Sequence, residues 1–143
     1  MKLYSEEWVE AYCKLLREDK EFQEKAKEFN NRVQFKIYAD KKTGPDQDVT
    51  FDISFPACKD FNYGVKPEDE MFMVLGGKGG AWLEVFTGKR GPVMALSPGL
   101  GSLKILKGAL LSLTAHVSGL IRFFKVAAPI CGGAAKSVEE ELI

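Results

Sequence analysis

The chain has 143 residues, of which 45% are hydrophobic and 28% charged, and its formal net charge is zero. That make-up excludes wholesale disorder and fits one globular domain, long enough to bury a core without staples. Neutrality argues against nucleic acid as a partner, and no base-stacking motif of the RRM type accompanies the aromatics.

The charge is unevenly spread: over residues 78–125 seven basic side chains stand against Glu84 alone. Such a segment either favours an anionic lipid surface or ligand head, or is a solvated basic face. Cys13, Cys58 and Cys131 are odd in number and widely spaced. They read as free thiols of a reducing compartment, not as a disulfide frame or zinc site. MKLYSEEW is too acidic for a secretion signal. The longest charge-free apolar stretch, 108–121, falls short of the roughly 20 residues of a membrane span. A cytoplasmic protein is expected.

In chain order, residues 5–29 carry a helical period. Ser5 caps it, Glu6 and Glu7 occupy its first turn, and Trp8, Val9, Tyr12, Leu15 and Leu16 share a side. Phe22, Ala26 and Phe29 repeat the spacing, and Asn30-Asn31 ends it. The period then becomes two. Val33, Phe35 and Ile37 alternate with polar residues, as do Val49, Phe51, Ile53 and Phe55, with the turn segment ADKKTGPDQ between them: a hairpin with one wet and one apolar face. Phe61, Tyr63 and Val65 form a third strand. MFMVL is a fourth, apolar on both sides and therefore central. GGKGG (76–80) reads as a connector, AWLEVFT as a short helix ended by Gly88, and Pro92 opens a further helical turn. GSLKILKG is the fifth strand. One long helix follows from Ala109, with Leu110, Leu113, Val117, Leu120 and Phe124 as its stripe. The last residues, 127–143, lack periodicity and read as a flexible tail after a domain of residues 1–126.

Few residues carry chemistry. His116 is the only histidine, with no nucleophile or metal-ligand cluster near it in sequence, and reads as structural or surface-exposed. GGKGG lacks both the Walker and the dinucleotide patterns. Asp48 and Asp52 belong to the wet strand face and read as solvated. No catalytic residue, metal site or cofactor is expected, so the protein is read as a non-enzyme.

The run WLEVFTGKRGPVMALSPGLGSLKILKG resembles the sterol carrier protein type two family. Members show an apolar helix, a Thr/Ser-Gly turn, a Pro followed by an alanine-containing turn, then a G-K-L-K-I-K-G strand and a final helix. Thr87-Gly88-Lys89, Pro92 with Ala95, and Gly101, Leu103, Lys104 and Ile105 match. Ser102, Leu106 and Lys107 depart from the strand motif, and the tail lacks a Ser-Lys-Leu address, so the resemblance is to a stand-alone prokaryotic-type member. It implies an α+β fold, a five-stranded, mainly antiparallel sheet with helices on one face and an apolar tunnel between the layers.

The implied ligand is a fatty acid, acyl thioester or sterol-like lipid. Its implied lining is Phe35 and Ile37; Phe51, Ile53 and Phe55; Phe72 and Val74; Trp82, Phe86 and Met94; Leu103 and Ile105; and Leu113, Val117, Leu120 and Phe124. Arg122 and Lys125 beside Phe123 and Phe124 suggest that the last helix touches anionic membrane. The rival expectation is the same fold with a filled core, serving protein–protein interaction or as an accessory module of an enzyme.

Overall fold

The helical period of residues 5–29 resolves into two helices in the computed structural model, which describes residues 1–131. In α1 (Glu6–Glu18) the Ser5 hydroxyl accepts from the Trp8 N–H at 3.2 Å, and Trp8, Val9, Tyr12, Cys13 and Leu16 are buried. Asp19 ends α1 through its backbone N–H and starts α2 (Lys20–Lys25), its carboxylate accepting from the Phe22 N–H at 2.7 Å. One residue thereby satisfies donors and acceptors at two helix ends.

The strands are β1 (Arg32–Tyr38), β2 (Val49–Ser54), β3 (Phe61–Tyr63), β4 (Met73–Lys78) and β5 (Lys104–Lys107). They lie in the order β3-β2-β1-β4-β5. Phe35 stands opposite Phe51 in the antiparallel β1–β2 hairpin and opposite Leu75 in the parallel β1–β4 pair. The other two pairings are antiparallel. A parallel neighbour needs a crossover, and here it is the stretch from β3 to β4, with a 3-10 turn at Glu68–Glu70. It passes over the sheet face away from the helices. The Gln34 side chain donates to the Lys66 carbonyl (3.0 Å), and Lys36 pairs with Glu68 (3.0 Å).

That crossover corrects the expectation of a wholly wet face. Gln34 and Asp52 are fully buried, as is Val74, and Asp52 is paired with Arg32 instead of being solvated. Asp48 is exposed, as expected, and accepts from the Ala39 N–H. GGKGG is not a connector: its first three residues end β4 and its last two begin α3 (Gly79–Phe86). The glycines allow close approach. A Cβ on Gly77 would stand 2.5 Å from Leu103, and one on Gly79 would stand 1.7 Å from the Gly44 carbonyl oxygen.

After the single turn α4 (Pro92–Ala95), the predicted long helix breaks at Ala115-His116 into α5 (Leu110–Thr114) and α6 (Val117–Val126). The break lets Phe123 and Phe124 both enter the core, while Leu110 and Val117 stay 36% and 37% exposed. A 3-10 turn, Ala128–Cys131, then packs Ala127 and Cys131 into the core, so the packed domain continues beyond residue 126. The rest of the predicted tail lies outside the described residues. Cys13 and Cys58 are joined in a disulfide, Cα atoms 5.4 Å apart, and only Cys131 is free. The buried side of α1 meets the turn after β2, a juxtaposition that a separation of 45 residues conceals. The pairing removes the free-thiol argument for a reducing compartment.

Candidate functional site

Alternation along β1 and β4 turns Val33, Phe35, Met73 and Leu75 toward the helices. Above them sit Phe22 and Ala26 of α2, Phe29, Leu113 of α5, and Gly119, Leu120, Phe123 and Phe124 of α6. Phe55 closes one side, and between the layers lies an apolar cavity of about 50 Å³. That is room for about three to five waters at about 10–15 Å³ each. Ser112 and His116 are the polar side chains of its lining. A second cavity of about 20 Å³ lies under α4 and α5, lined by Val93, Leu96, Leu110, Leu113, Thr114, Val117 and Leu120. Leu113 and Leu120 line both, and so form the partition between them.

Of the residues expected in the lining, Phe35, Phe55, Leu113, Leu120 and Phe124 meet at the first cavity, and Val117 lies at the second. Ile37, Phe51, Ile53, Trp82, Phe86 and Leu103 are buried core residues that reach neither, and Ile105 packs at the edge of the core. Val74 points to the opposite sheet face, beside Gln34, because the strand period separates it from Met73 and Leu75. Phe72 is 42% exposed, its ring edge-on to Phe29. Met94 is 61% exposed, since α4 turns Ala95 inward instead. Sequence reasoning missed Phe22, Ala26, Phe29, Val33, Met73, Leu75, Ser112, His116, Gly119 and Phe123 as lining. The helical spacing of Phe22, Ala26 and Phe29, and the period of Val33 with Phe35, carried the signal for some of them.

The roof is clasped by polar contacts. Arg122 donates to Asp19 from Nε (3.1 Å) and Nη2 (2.6 Å) and also pairs with Glu21 at 2.8 Å. The Arg122 hydrogen bond, helped by the Phe22 N–H, holds the Asp19 carboxyl below the usual carboxylate range. The Tyr12 hydroxyl donates to the Phe123 carbonyl at 2.6 Å, and burial pushes its pKa well up. At Gly119 the helices are so close that a Cβ would stand 3.3 Å from the Lys25 carbonyl oxygen. These contacts hold the inner side of the last helix against the rest of the domain. Phe123 and Phe124 point inward and Arg122 is engaged, leaving Lys125 exposed. Among the described residues no group of three metal-ligating side chains occurs, and no helix is long and apolar enough to cross a membrane.

No family model matches the sequence. No curated protein matches it either. Solved structures do. A crystal structure of sterol carrier protein 2 is 27% identical with a TM-score of 0.75, covering 88% of this chain and 97% of its own. A conserved hypothetical protein from Thermus thermophilus, described as a possible sterol carrier protein, is likewise 27% identical with a TM-score of 0.75, covering 91% and 90%. Sterol carrier protein 2 from Yarrowia lipolytica, in its apo form, is 16% identical with a TM-score of 0.57, covering 89% and 98%, and shares the fold. In its sheet and its helical cover the chain shares the fold of these sterol carrier protein 2 structures.

Proposed function

We propose that this domain binds and carries a hydrophobic ligand, a fatty acid, acyl thioester or sterol-like lipid, between its sheet and helices, without catalysing a reaction on it. The observation that carries this reading is the cavity itself: an apolar lining drawn from both layers, in a fold shared with sterol carrier protein 2. Removing a ligand's apolar surface from water supplies roughly 25 cal/mol per Å². A space of about 50 Å³ does not hold a lipid tail, so uptake requires the roof to lift. The element suited to this is the α5–α6 pair, where displacing Leu113 and Leu120 would merge the two cavities.

Delivery at an anionic membrane is part of the same reading, moved from the aromatic face of α6 to the tip formed by α4 and α5. Val93, Met94 and Leu111 are 46%, 61% and 79% exposed there, within the segment rich in basic residues. The small cavity favours one rival, the interaction module with a filled core. Titrating the protein with a fluorescent fatty acid separates the two. Saturable uptake near one equivalent supports the carrier, and no uptake at micromolar protein supports the module.

A further inference from the structure

We propose that the Cys13–Cys58 disulfide is a redox latch on one wall of the cavity: a dithiol reductant opens it in the folded protein, and the reduced form exchanges its ligand faster. The inference rests on the carrier reading above and adds to it a means of control. A chain of 143 residues with this aromatic core does not need a staple to fold, so the place of the bridge is informative. Cys13 lies in α1, which runs through Asp19 into α2, whose Phe22 belongs to the roof. Cys58 lies three residues beyond Phe55, which closes one side of the cavity. The bridge therefore ties the roof to the side wall. The Phe55 ring spans the same joint, edge-on to Phe22 and Phe29 with centroids 6.2 and 5.6 Å apart.

The turn that carries Cys58 is held in a strained conformation. Its φ is +46°, in the left-handed region that residues with a Cβ avoid. Such a conformation persists only where its surroundings fix it. Besides the bridge, the Cys58 N–H donates to the Ser54 carbonyl at 2.9 Å and Arg17 Nη2 donates to the Cys58 carbonyl at 2.8 Å. Gln23 Nε2 joins the Leu16 and Pro56 carbonyls, each at 2.8 Å. Opening the bridge leaves the turn on these hydrogen bonds alone, so it relaxes and Phe55 moves with it. Access is from the outer side. There α1 and the turn bank an open groove of about 620 Å³, with Lys14 and Arg17 on one side, Lys59 on the other and Cys13 in its lining. Both bridged cysteines are 1% exposed, so attack requires the turn to shift, and its strain favours that shift. The thiolate of the dithiol attacks the Cys13 sulfur, the S–S bond breaks, and Cys58 leaves as a thiolate that takes up a proton. The second thiol of the dithiol then displaces Cys13. The dithiol ends as its own disulfide, and two electrons and two protons have passed to the cysteine pair.

The test treats the full chain with dithiothreitol and reads two rates. The first is that of bridge opening, followed by the appearance of Cys13 and Cys58 thiols. It should be insensitive to urea well below the unfolding midpoint, because a local shift of the turn exposes little surface. A rate that climbs with urea in step with global unfolding would make the bridge a structural staple and overturn the proposal, and it is measurable whether or not the reduced form stays folded. The second is the dissociation of a bound fluorescent fatty acid, which should be about tenfold faster from the reduced protein. Cys13→Ser without reductant should match the reduced wild type, and amide exchange at Phe55 and Cys58 should quicken in both. Unchanged dissociation from folded, reduced protein would overturn the latch while leaving the carrier reading intact. Binding of the fatty acid by neither form would overturn both.

Discussion

Filling the cavity from its floor separates a container from a packed core. Val33 is 3% exposed, faces the helices and lines the cavity, whereas Val9 is fully buried in α1 and lines neither cavity. The same substitution, valine to phenylalanine, adds four carbons at either site. At Val33 those carbons enter about 50 Å³ of apolar space. Burial at about 0.8 kcal/mol per carbon sets a ceiling near 3 kcal/mol, and overpacking opposes it by about 1–3 kcal/mol. Val33→Phe should therefore be as stable as the parent or up to about 2 kcal/mol more so. Val9→Phe has no space to fill and should lose the full 1–3 kcal/mol or so, at about 3–5 °C of melting temperature per kcal/mol for a chain of this size. Thermal unfolding followed by circular dichroism reads the first quantity, and titration with fluorescent fatty acid the second. Val33→Phe should lower uptake at least about tenfold, a loss of 1.4 kcal/mol, and Val9→Phe should leave the uptake of the folded fraction unchanged. Equal destabilisation at the two sites, with uptake the same in both, would refute the reasoning.

Three other outcomes are expected. Arg122→Gln should lower stability at pH 7 by about 0.5–1 kcal/mol. Because Asp19 is held below its ordinary range when folded, its contribution is complete above about pH 4 and is lost as pH falls through the lowered value. The gap between parent and variant in urea midpoint should thus close at acid pH, and a gap independent of pH would assign Arg122 a packing role. In denaturant without reductant one thiol should react, Cys131, and three after reduction; the folded protein should show none, because burial pushes Cys131 up to about 12. Three reactive thiols without reductant would contradict the Cys13–Cys58 bond, whose removal should cost about 4 kcal/mol on the chain-entropy account of a 45-residue separation. The protein should co-sediment with anionic vesicles at low salt, less so as Leu111→Asp, and a protein that stays in the supernatant would end the membrane proposal.

The strand pattern was legible because sheets repeat every two residues. Val33, Phe35 and Ile37 against Phe51 and Ile53 gave the hairpin, its register face and the apolar side of the sheet. What stayed hidden depends on tertiary neighbours. Asp52 alternates like a solvent-facing residue, and only the crossover and Arg32 make it a buried partner. MFMVL is apolar throughout, so nothing in it tells Met73 and Leu75, which line the cavity, from Val74, which faces away. The glycines of 76–80 look like a loop until the approach of Leu103 and Gly44 to Gly77 and Gly79 is seen. The break at His116 contains neither glycine nor proline, so the stripe from Leu110 to Phe124 read as one helix. With one continuous helix, His116 has no place in the cavity lining and Phe123 falls outside the apolar stripe, whereas the break brings both to the lining.

The central claim, that the domain holds a hydrophobic ligand, is tested most directly by mass spectrometry of an organic extract from protein purified without detergent. The account predicts about one equivalent of a single amphiphile class, with fatty acid foremost, released on denaturation and absent from a Val33→Phe preparation. An empty extract from wild-type protein, joined to a failure of that protein to take up fluorescent fatty acid, would contradict it.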